Sequence, residues 1–448
     1  MRKYLVIALV SSVITVGAGF AADEGAGIVA RHKAVLSRPP TNIPSQTAVD
    51  GPLMGNGDTL AALGGLPDKL SIYINKNDLW LMKADSGSKP QPLGKLDLCF
   101  PDMTNATFRV EQNFLAAVTT GRFETSDRSL KMETGVMATD NLLWIRLETQ
   151  KGLIRAKATL NKVGSAIAGN NASRSASAVT NLSTVEPADG MQVVERRITG
   201  NVMAPAGAVC VLRNMDGGES FTLEPGKPVV LVALIGGLTG NNDYRAETIA
   251  RAKRLTAARL AGLRKEHGAW WRGFWNESYV EIPDKVLEQR YYLSQYVLAS
   301  ASRLYDFPPG IFGWVTTDNP SWRGDYHLNY NHVAPFYGLY AANHLAQADP
   351  CHGPILANLE KAKEDCRHEL GVPGVCQRVG IGPKGAIADV KFHGQKSNSA
   401  YSCVPLAFRW YATYDPDFGR KAYPFVRETA TFWENWLKFE NGRGCVYG

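Results

Sequence analysis

From about residue 40 to residue 240, apolar and polar positions alternate in short runs, and turn residues separate the runs. The segments "LSIYINKNDLW", "KLDLCF", "FRVEQNF", "LKMETGVMA", "NLLWIRLET", "MQVVERRIT", "GAVCVLRNM" and "PVVLVALIGG" are rich in β-branched and aromatic residues. A strand sends successive side chains to opposite faces, so runs of this kind offer one face to a core. Their regular spacing predicts an antiparallel β-sandwich domain over residues 40–240. The Ser/Ala/Asn-rich stretch 168–183 reads as a surface loop.

At Asn242 the pattern changes. Residues 244–275 combine helix formers with charge pairs four apart and show no alternation, which predicts one or two helices within a linker spanning 242–280. Helical segments follow at roughly 284–304, 333–348, 353–370, 400–414 and 417–439, so 281–448 is expected to be a second, helical domain. The loops between them are long and aromatic-rich, and long loops on a helical scaffold are usually functional. The final helix, "TATFWENWL", carries a Trp-rich apolar face, and further helices are expected after residue 448 to cover it.

Arg2 and Lys3, the apolar run Tyr4 to Phe20, and the small residues Gly19, Ala21 and Ala22 predict a secretory signal peptide over 1–22. A secreted or periplasmic protein with no membrane contact after cleavage follows from that reading. Without Arg2 and Lys3 the 49 basic side chains become 47 against 42 acidic ones, a net of +5. No Lys/Arg stripe tracks a phosphate backbone, so nucleic acid is not an expected partner. Seven cysteines occur without C-x-x-C or His-paired spacing, which disfavours zinc, and neither metal nor cofactor is expected. In an oxidising compartment some of them could pair, with Cys351, Cys366 and Cys376 the nearest neighbours.

The stretch "SWRGDYHLNYNH", 321–332, carries the most chemistry. Asp325, His327, Asn329 and Asn331 alternate with Tyr326, Leu328 and Tyr330. On an extended backbone one face then holds a carboxylate, an imidazole and two amides. The face could be an exposed edge that ends with Asn331 as a helix N-cap. It could equally be the wall of a site, with the two amides gripping one water or hydroxyl. Just ahead, Trp314 and Trp322 sit in a loop, where a flat apolar ring beside polar groups suits a sugar. Tryptophans on the predicted helices, such as Trp270, Trp271, Trp275, Trp433 and Trp436, read as core. "GPLMGNGDTLAALGG" has neither a G-x-G-x-x-G nor a Gly-Lys-Ser/Thr pattern and reads as tight turns. There is no G-x-S-x-G elbow. Asp306, Asp318, Asp325 and Asp389 all fall in loops of the helical half, and spacing singles out no acid–base pair among them.

Several segments, in order, resemble one family. "GPLMGNGDTLAALGG" followed by "LSIYINKNDLW", with Asn75 opening and Leu79-Trp80 closing the strand motif, is similar to the opening of glycoside hydrolase family 95 and its uncharacterised relatives. "WWRGFWNESYVEI", "YHLNYNHVAPFYGLYAANHL" and "AYPFVRETATFWENWL" resemble its linker end, its Asn-x-Asn segment and a later helix. The resemblance implies a β-sandwich, a helical linker and the first part of an (α/α)6 barrel of the six-hairpin glycosidase type. It implies an inverting exo-hydrolase that removes α-L-fucose or α-L-galactose from the ends of an oligosaccharide or polysaccharide. Asn329 and Asn331 match the pair that positions the water, and His327 matches a substrate-contacting histidine. Asp325, Trp314 and Trp322 are expected around the sugar. The acid Glu and assisting Asp are expected beyond residue 448. "VAPFYGLY" replaces the family's usual Met-Asn-Tyr-Trp, which alters the sugar-binding wall, and "GNGDTLAALGG" also departs from its G-N-G-x-x-G-A. A six-hairpin phosphorylase and a non-catalytic carbohydrate-binding protein are the alternatives.

Overall fold

A computed structural model describes residues 24–164, 179–238 and 242–445. The signal peptide expected over 1–22 and most of the loop expected over 168–183 lie outside the described residues. All eight alternating runs form strands, numbered here along the chain. One antiparallel sheet has the spatial order β1 (Lys33–Leu36), β6 (Arg109–Asn113), β7 (Val118–Glu124), β8 (Ser129–Val136), β9 (Leu142–Lys151), β15 (Val229–Gly237), β13 (Ala206–Asn214), β12 (Gln192–Gly200), β11 (Val179–Val185). The other runs β14 (Ser220–Leu223), β10 (Ile154–Asn161), β5 (Lys89–Cys99), β4 (Lys69–Leu81), β3 (Thr59–Leu66), β2 (Leu53–Gly55).

The two sheets share a core. Ile72, Ile74 and Leu96 of the smaller sheet join Phe123, Leu143, Ile145 and Leu231 of the larger one in a single buried cluster. Across β9, β13 and β15 the larger sheet is covered on its other side as well. There Trp144, Val209, Val211 and Val232 pack with Ile249, Leu260 and Leu263 of α2 (Tyr244–Arg254) and α3 (Ala257–Glu277). Burial on both faces explains why "GAVCVLRNM" and "PVVLVALIGG" are almost continuously apolar.

The stretch 244–275 is two helices, because Leu255 leaves the helical conformation and Thr256 restarts it. The Thr256 hydroxyl accepts from the Arg259 N–H at 3.2 Å and so caps α3. Short α1 (Glu24–Val29) lies against α3, and Trp271 and Trp275 are buried beside Tyr292 and Tyr296 of α4 (Lys285–Ala301), as expected for core tryptophans. Beyond α4 the helices are shorter than the pattern predicts: α5 (Tyr337–Ala341), α6 (Leu345–Ala348), α7 (His352–Ala357) and α8 (Leu359–Asp365). Pro335 is tolerated only at a helix start, and Asn343 takes a left-handed φ of 56°, so the expected helix over 333–348 breaks into pieces. The long helices α9 (Asn398–Thr413) and α10 (Pro416–Trp436) follow, and they leave between them an apolar groove of about 690 Å³ walled by Trp410, Tyr411, Phe418 and Tyr423.

Strand β4 ties the two parts together. Its end carries Trp80 and the following Met82 out of the sandwich and into a cluster with Tyr326, Leu328, Phe336, Leu339 and Phe425. All seven cysteines are free thiols, with Cys366 and Cys376 in one apolar cluster. Among the described residues no helix is long and apolar enough to cross a membrane, and no group of three or more His, Cys, Asp or Glu is placed to hold a metal.

Candidate functional site

The loop after α4 carries the chemistry, and the sheets hold it. The Asn75 side chain brackets Val315, donating to its carbonyl at 2.7 Å and accepting from its N–H at 3.1 Å. Ser45 N–H donates to the Thr316 hydroxyl at 2.8 Å, and Ser321 N–H donates to the Gln46 carbonyl at 2.7 Å. Asp318 accepts from the buried Arg196 guanidinium at 2.7 Å. The asparagine of the strand motif is therefore a clamp on the loop. The G-N-G turn acts in a related way, joining sheet to helix. Its Gly57, at φ 81°, donates to the Ser300 carbonyl at 2.7 Å, and a Cβ there would lie 2.4 Å from Arg303 Cγ. This is a turn held close to a helix end, in line with the sequence reading.

The loop reaches the site through strained backbone. Trp322 and Arg323 have φ of 46° and 58°, and Gly324 follows at 62°. Two consecutive non-glycine residues in the left-handed region cost about 1–3 kcal/mol each and persist where the surroundings hold them. The bend leaves Trp322 61% exposed while Asp325 is 2% exposed. Tyr326 and His327 then pair with Ile381 and Gly380 as a two-residue ladder, β16 (Tyr326–His327) with β17 (Gly380–Ile381). The ladder continues as Leu328 N–H donates to the Val379 carbonyl at 2.8 Å.

Over 325–329 the alternation holds. Tyr326 and Leu328 are buried in the helical core, and Asp325, His327 and Asn329 line a cavity of about 540 Å³. At Tyr330 the alternation fails: the chain turns, His332 N–H donates back to the His327 carbonyl at 2.9 Å, and Tyr330 is 60% exposed. Asn331 is exposed and does not line the cavity, so the two amides do not present a common edge there. Nor is Asn331 an N-cap, since the next helical turn starts after Val333 without a side-chain cap.

His327 Nδ1 lies 3.0 Å from Asp325 Oδ1. With the carboxylate accepting, the ring keeps its proton on Nδ1 and offers Nε2 to the cavity. Asp325 thus works mainly through His327. Burial raises the Asp325 carboxyl above its ordinary pKa, the Asp389 charge adds to this, and the His327 bond opposes it. Trp322 stacks over His327 with centroids 5.5 Å apart. Trp314 does not join them. It is 3% exposed, and its indole N–H donates to the Met54 carbonyl at 2.9 Å inside a cluster with Leu60 and Ala62. The expectation that Trp314 stands beside a sugar is corrected, because it finds a partner for its N–H in the sandwich, and of the two only Trp322 lines the cavity.

Two further cavity residues escape a reading of the sequence. Asp389 is one of four loop aspartates that spacing does not separate, and His393 belongs to no motif; both line the same cavity, with Asp389 Oδ2 3.0 Å from His393 Nε2. Their i, i+4 spacing in "ADVKFHG" is a weak signal that gains meaning only once the loop is placed. Burial acts to raise Asp389, yet the hydrogen bonds from His393 and the Lys391 N–H outweigh it and hold the carboxyl below its ordinary value.

Antiparallel sheets followed by helices, in this order, define a fold class with solved members. A structure assigned as a putative kojibiose phosphorylase from the human microbiome superposes with a TM-score of 0.64 at 12% identity, over 93% of this chain and 61% of that one. The chain therefore spans about three fifths of that structure's length. A bacterial glucoamylase in complex with acarbose (TM-score 0.35, 9% identity, 92% and 73% covered) and a GH92 alpha-mannosidase from Bacteroides thetaiotaomicron (0.32, 11%, 91% and 62%) also match, more distantly. The fold class is antiparallel sheets followed by the helices of an (α/α)6 barrel.

Residues 274–447 match the family model for the glycosyl hydrolase family 95 catalytic domain. The match begins in α3 and includes the whole cavity. No curated protein sequence matches the chain.

Proposed function

We propose that the chain is the sugar-binding part of an exported, inverting exo-glycoside hydrolase acting on terminal α-L-fucose or α-L-galactose. The observation that carries this reading is Asn329 Oδ1, a buried acceptor at the cavity wall with no hydrogen-bond partner among the described residues. A buried polar atom left unpaired costs about 1–3 kcal/mol, so such an atom calls for a water or a hydroxyl. Beside it stand the Asp325-oriented His327, to meet a sugar hydroxyl, and the exposed Trp322, stacked on both His327 and Phe312, to offer apolar surface to the sugar ring.

Inversion requires a water on one side of the anomeric carbon and a proton donor on the other. Asn329 can hold and orient that water, but an amide is a poor base, so a carboxylate must take the proton. A phosphorylase would replace the water with phosphate and need an anion site. Arg323, the guanidinium at this cavity, already donates to the Ala388 carbonyl and faces Asp389 at 4.0 Å, which favours water. Export rests on the sequence of the first 22 residues, and a mature mass lacking them is the expected outcome.

Assayed in protein that also carries the acid and the base this reading requires, aryl α-L-fucoside and α-L-galactoside should be hydrolysed with the product first appearing, by NMR, in the opposite anomeric form. A retained configuration, or hydrolysis of neither, overturns the reading. Asn329→Ala should lower kcat by about 10²-fold with melting temperature unchanged.

A further inference from the structure

The cavity holds two carboxylate–imidazole pairs, not one. Asp325 fixes His327 through Nδ1, and Asp389 fixes His393 through Nε2, so each ring keeps its other nitrogen for the cavity. The pairs are mounted on either side of a single glycine. Gly380 lies opposite His327 in the ladder, and the Asp389 N–H donates to its carbonyl at 3.0 Å. A Cβ at Gly380 would lie 2.0 Å from Asp325 Oδ2 and 3.2 Å from Asp389 Cβ. Only glycine lets the two carboxyl-bearing residues approach the same backbone from both sides.

The second pair has supports of its own. Asp389 Oδ1 accepts from the Lys391 N–H at 3.0 Å, which closes a turn over the side chain and leaves Oδ2 for His393. His393 sits at φ 52° and Gly394 at φ 71°, so the backbone bends sharply where the ring enters the cavity. Among the described residues lining the cavity, the guanidinium is that of Arg323, and it is committed to the Ala388 carbonyl and to Asp389. An incoming carboxylate or sulfate would meet Asp389 without an uncommitted guanidinium to receive it, whereas hydroxyl groups meet two ring nitrogens and the Asn329 acceptor.

We propose that His393, oriented by Asp389, is a second sugar-binding arm facing the His327 arm, and that together the two arms select a neutral pyranose by its hydroxyls and reject acidic sugars. His393 binds, and Asp389 is a positioning residue that acts through it. The inference rests on the reading of this cavity as a sugar subsite.

The test is an NMR titration of the protein with L-fucose, D-galactose and D-galacturonate, following the histidine ring protons. One neutral sugar is expected to shift both His327 and His393, and D-galacturonate to bind at least about tenfold more weakly. His393→Ala should weaken binding of the neutral sugar by about tenfold, the scale of one lost hydrogen bond. Asp389→Ala should do nearly as much, while Asp389→Asn, which keeps an acceptor for His393, should lose less. His393 is half exposed, so circular dichroism of these variants should match the wild type. If no sugar binds the wild type, the subsite reading falls and this inference with it. If the wild type binds and His393→Ala binds equally well, the subsite stands and the second arm is refuted. Equal binding of D-galacturonate refutes the selection for neutral sugars.

Discussion

The sandwich and the helices beyond residue 240 satisfy their buried polar groups in different ways. In the sheets, backbone ladders use up donors and acceptors row by row, around a shared core of apolar side chains. The helical part breaks its ladders into short helices and loops. It leaves buried atoms such as Gln295 Oε1, Tyr326 Oη, Asn329 Oδ1, Gln377 Oε1 and Asn398 Oδ1 without hydrogen-bond partners among the described residues. It also buries His332, His344 and His352. A regular scaffold is easily satisfied, while a cavity needs groups held ready for something the protein does not itself supply. The site stands where the second kind of structure is clamped onto the first.

The largest expected effect separates the two parts by acid. Burial lowers His332 and His344 to about 4 and His352 to about 3. Each stays neutral in the fold while the unfolded chain, with an ordinary value near 6.5, takes up a proton below that pH. The stability they contribute is complete above about 6.5 and is lost as pH falls towards 4. In the sheets, side-chain hydrogen bonding from Arg155 holds Asp102 down to about 2, so its contribution is lost only as pH falls from about 3.9 towards 2. Hydrogen exchange across a pH series should show the helical part opening first, between about pH 6.5 and 4, with the sheets protected. Simultaneous opening would remove the contrast.

Next in size is the tie between the parts. Trp80 is 2% exposed and packs on Tyr326 with centroids 5.0 Å apart. Trp80→Ala should cost about 3–5 kcal/mol, as for other large aromatic truncations in a core. Urea unfolding followed separately by far-ultraviolet and near-ultraviolet circular dichroism should split into two transitions in the variant, where the wild type shows one. An unsplit transition at reduced stability would mean that the clamps at Asn75, Ser45 and Arg196 suffice to hold the parts together.

How much is legible in the sequence follows the same division. Period-2 alternation finds the strands because the two inner faces are buried and the outer ones mostly are not, and even β13 and β15, apolar throughout, keep their β-branched character. The helical part is readable as helical but not in its breaks, since Asn343 at positive φ looks like any other asparagine. In the site, Asp325, His327 and Asn329 are legible because a strand-like stretch keeps its alternation as far as Asn329. Asn331 is misplaced by the same pattern because the turn at Tyr330 is fixed by a return bond to His327, a contact no spacing rule contains. His393 is invisible because its loop is placed by bonds to distant segments, the Asp389 N–H donating to the Gly380 carbonyl and the Ile387 N–H to the Lys83 carbonyl.

The smallest effect concerns the two loop tryptophans, which the sequence presents alike and the structure parts. Trp314→Phe removes one indole N–H from the Met54 carbonyl and little volume, so stability should fall by about 0.5–1.5 kcal/mol with sugar affinity unchanged. Trp322→Ala removes an exposed ring stacked on His327 and should leave stability within about 0.5 kcal/mol while weakening sugar binding severalfold. Thermal melts and sugar titrations on the two variants should therefore give a crossed pattern. If Trp314→Phe weakens sugar binding as much as Trp322→Ala does, the loop transmits the sandwich's packing into the cavity. The two parts are then one functional unit rather than a scaffold and a site.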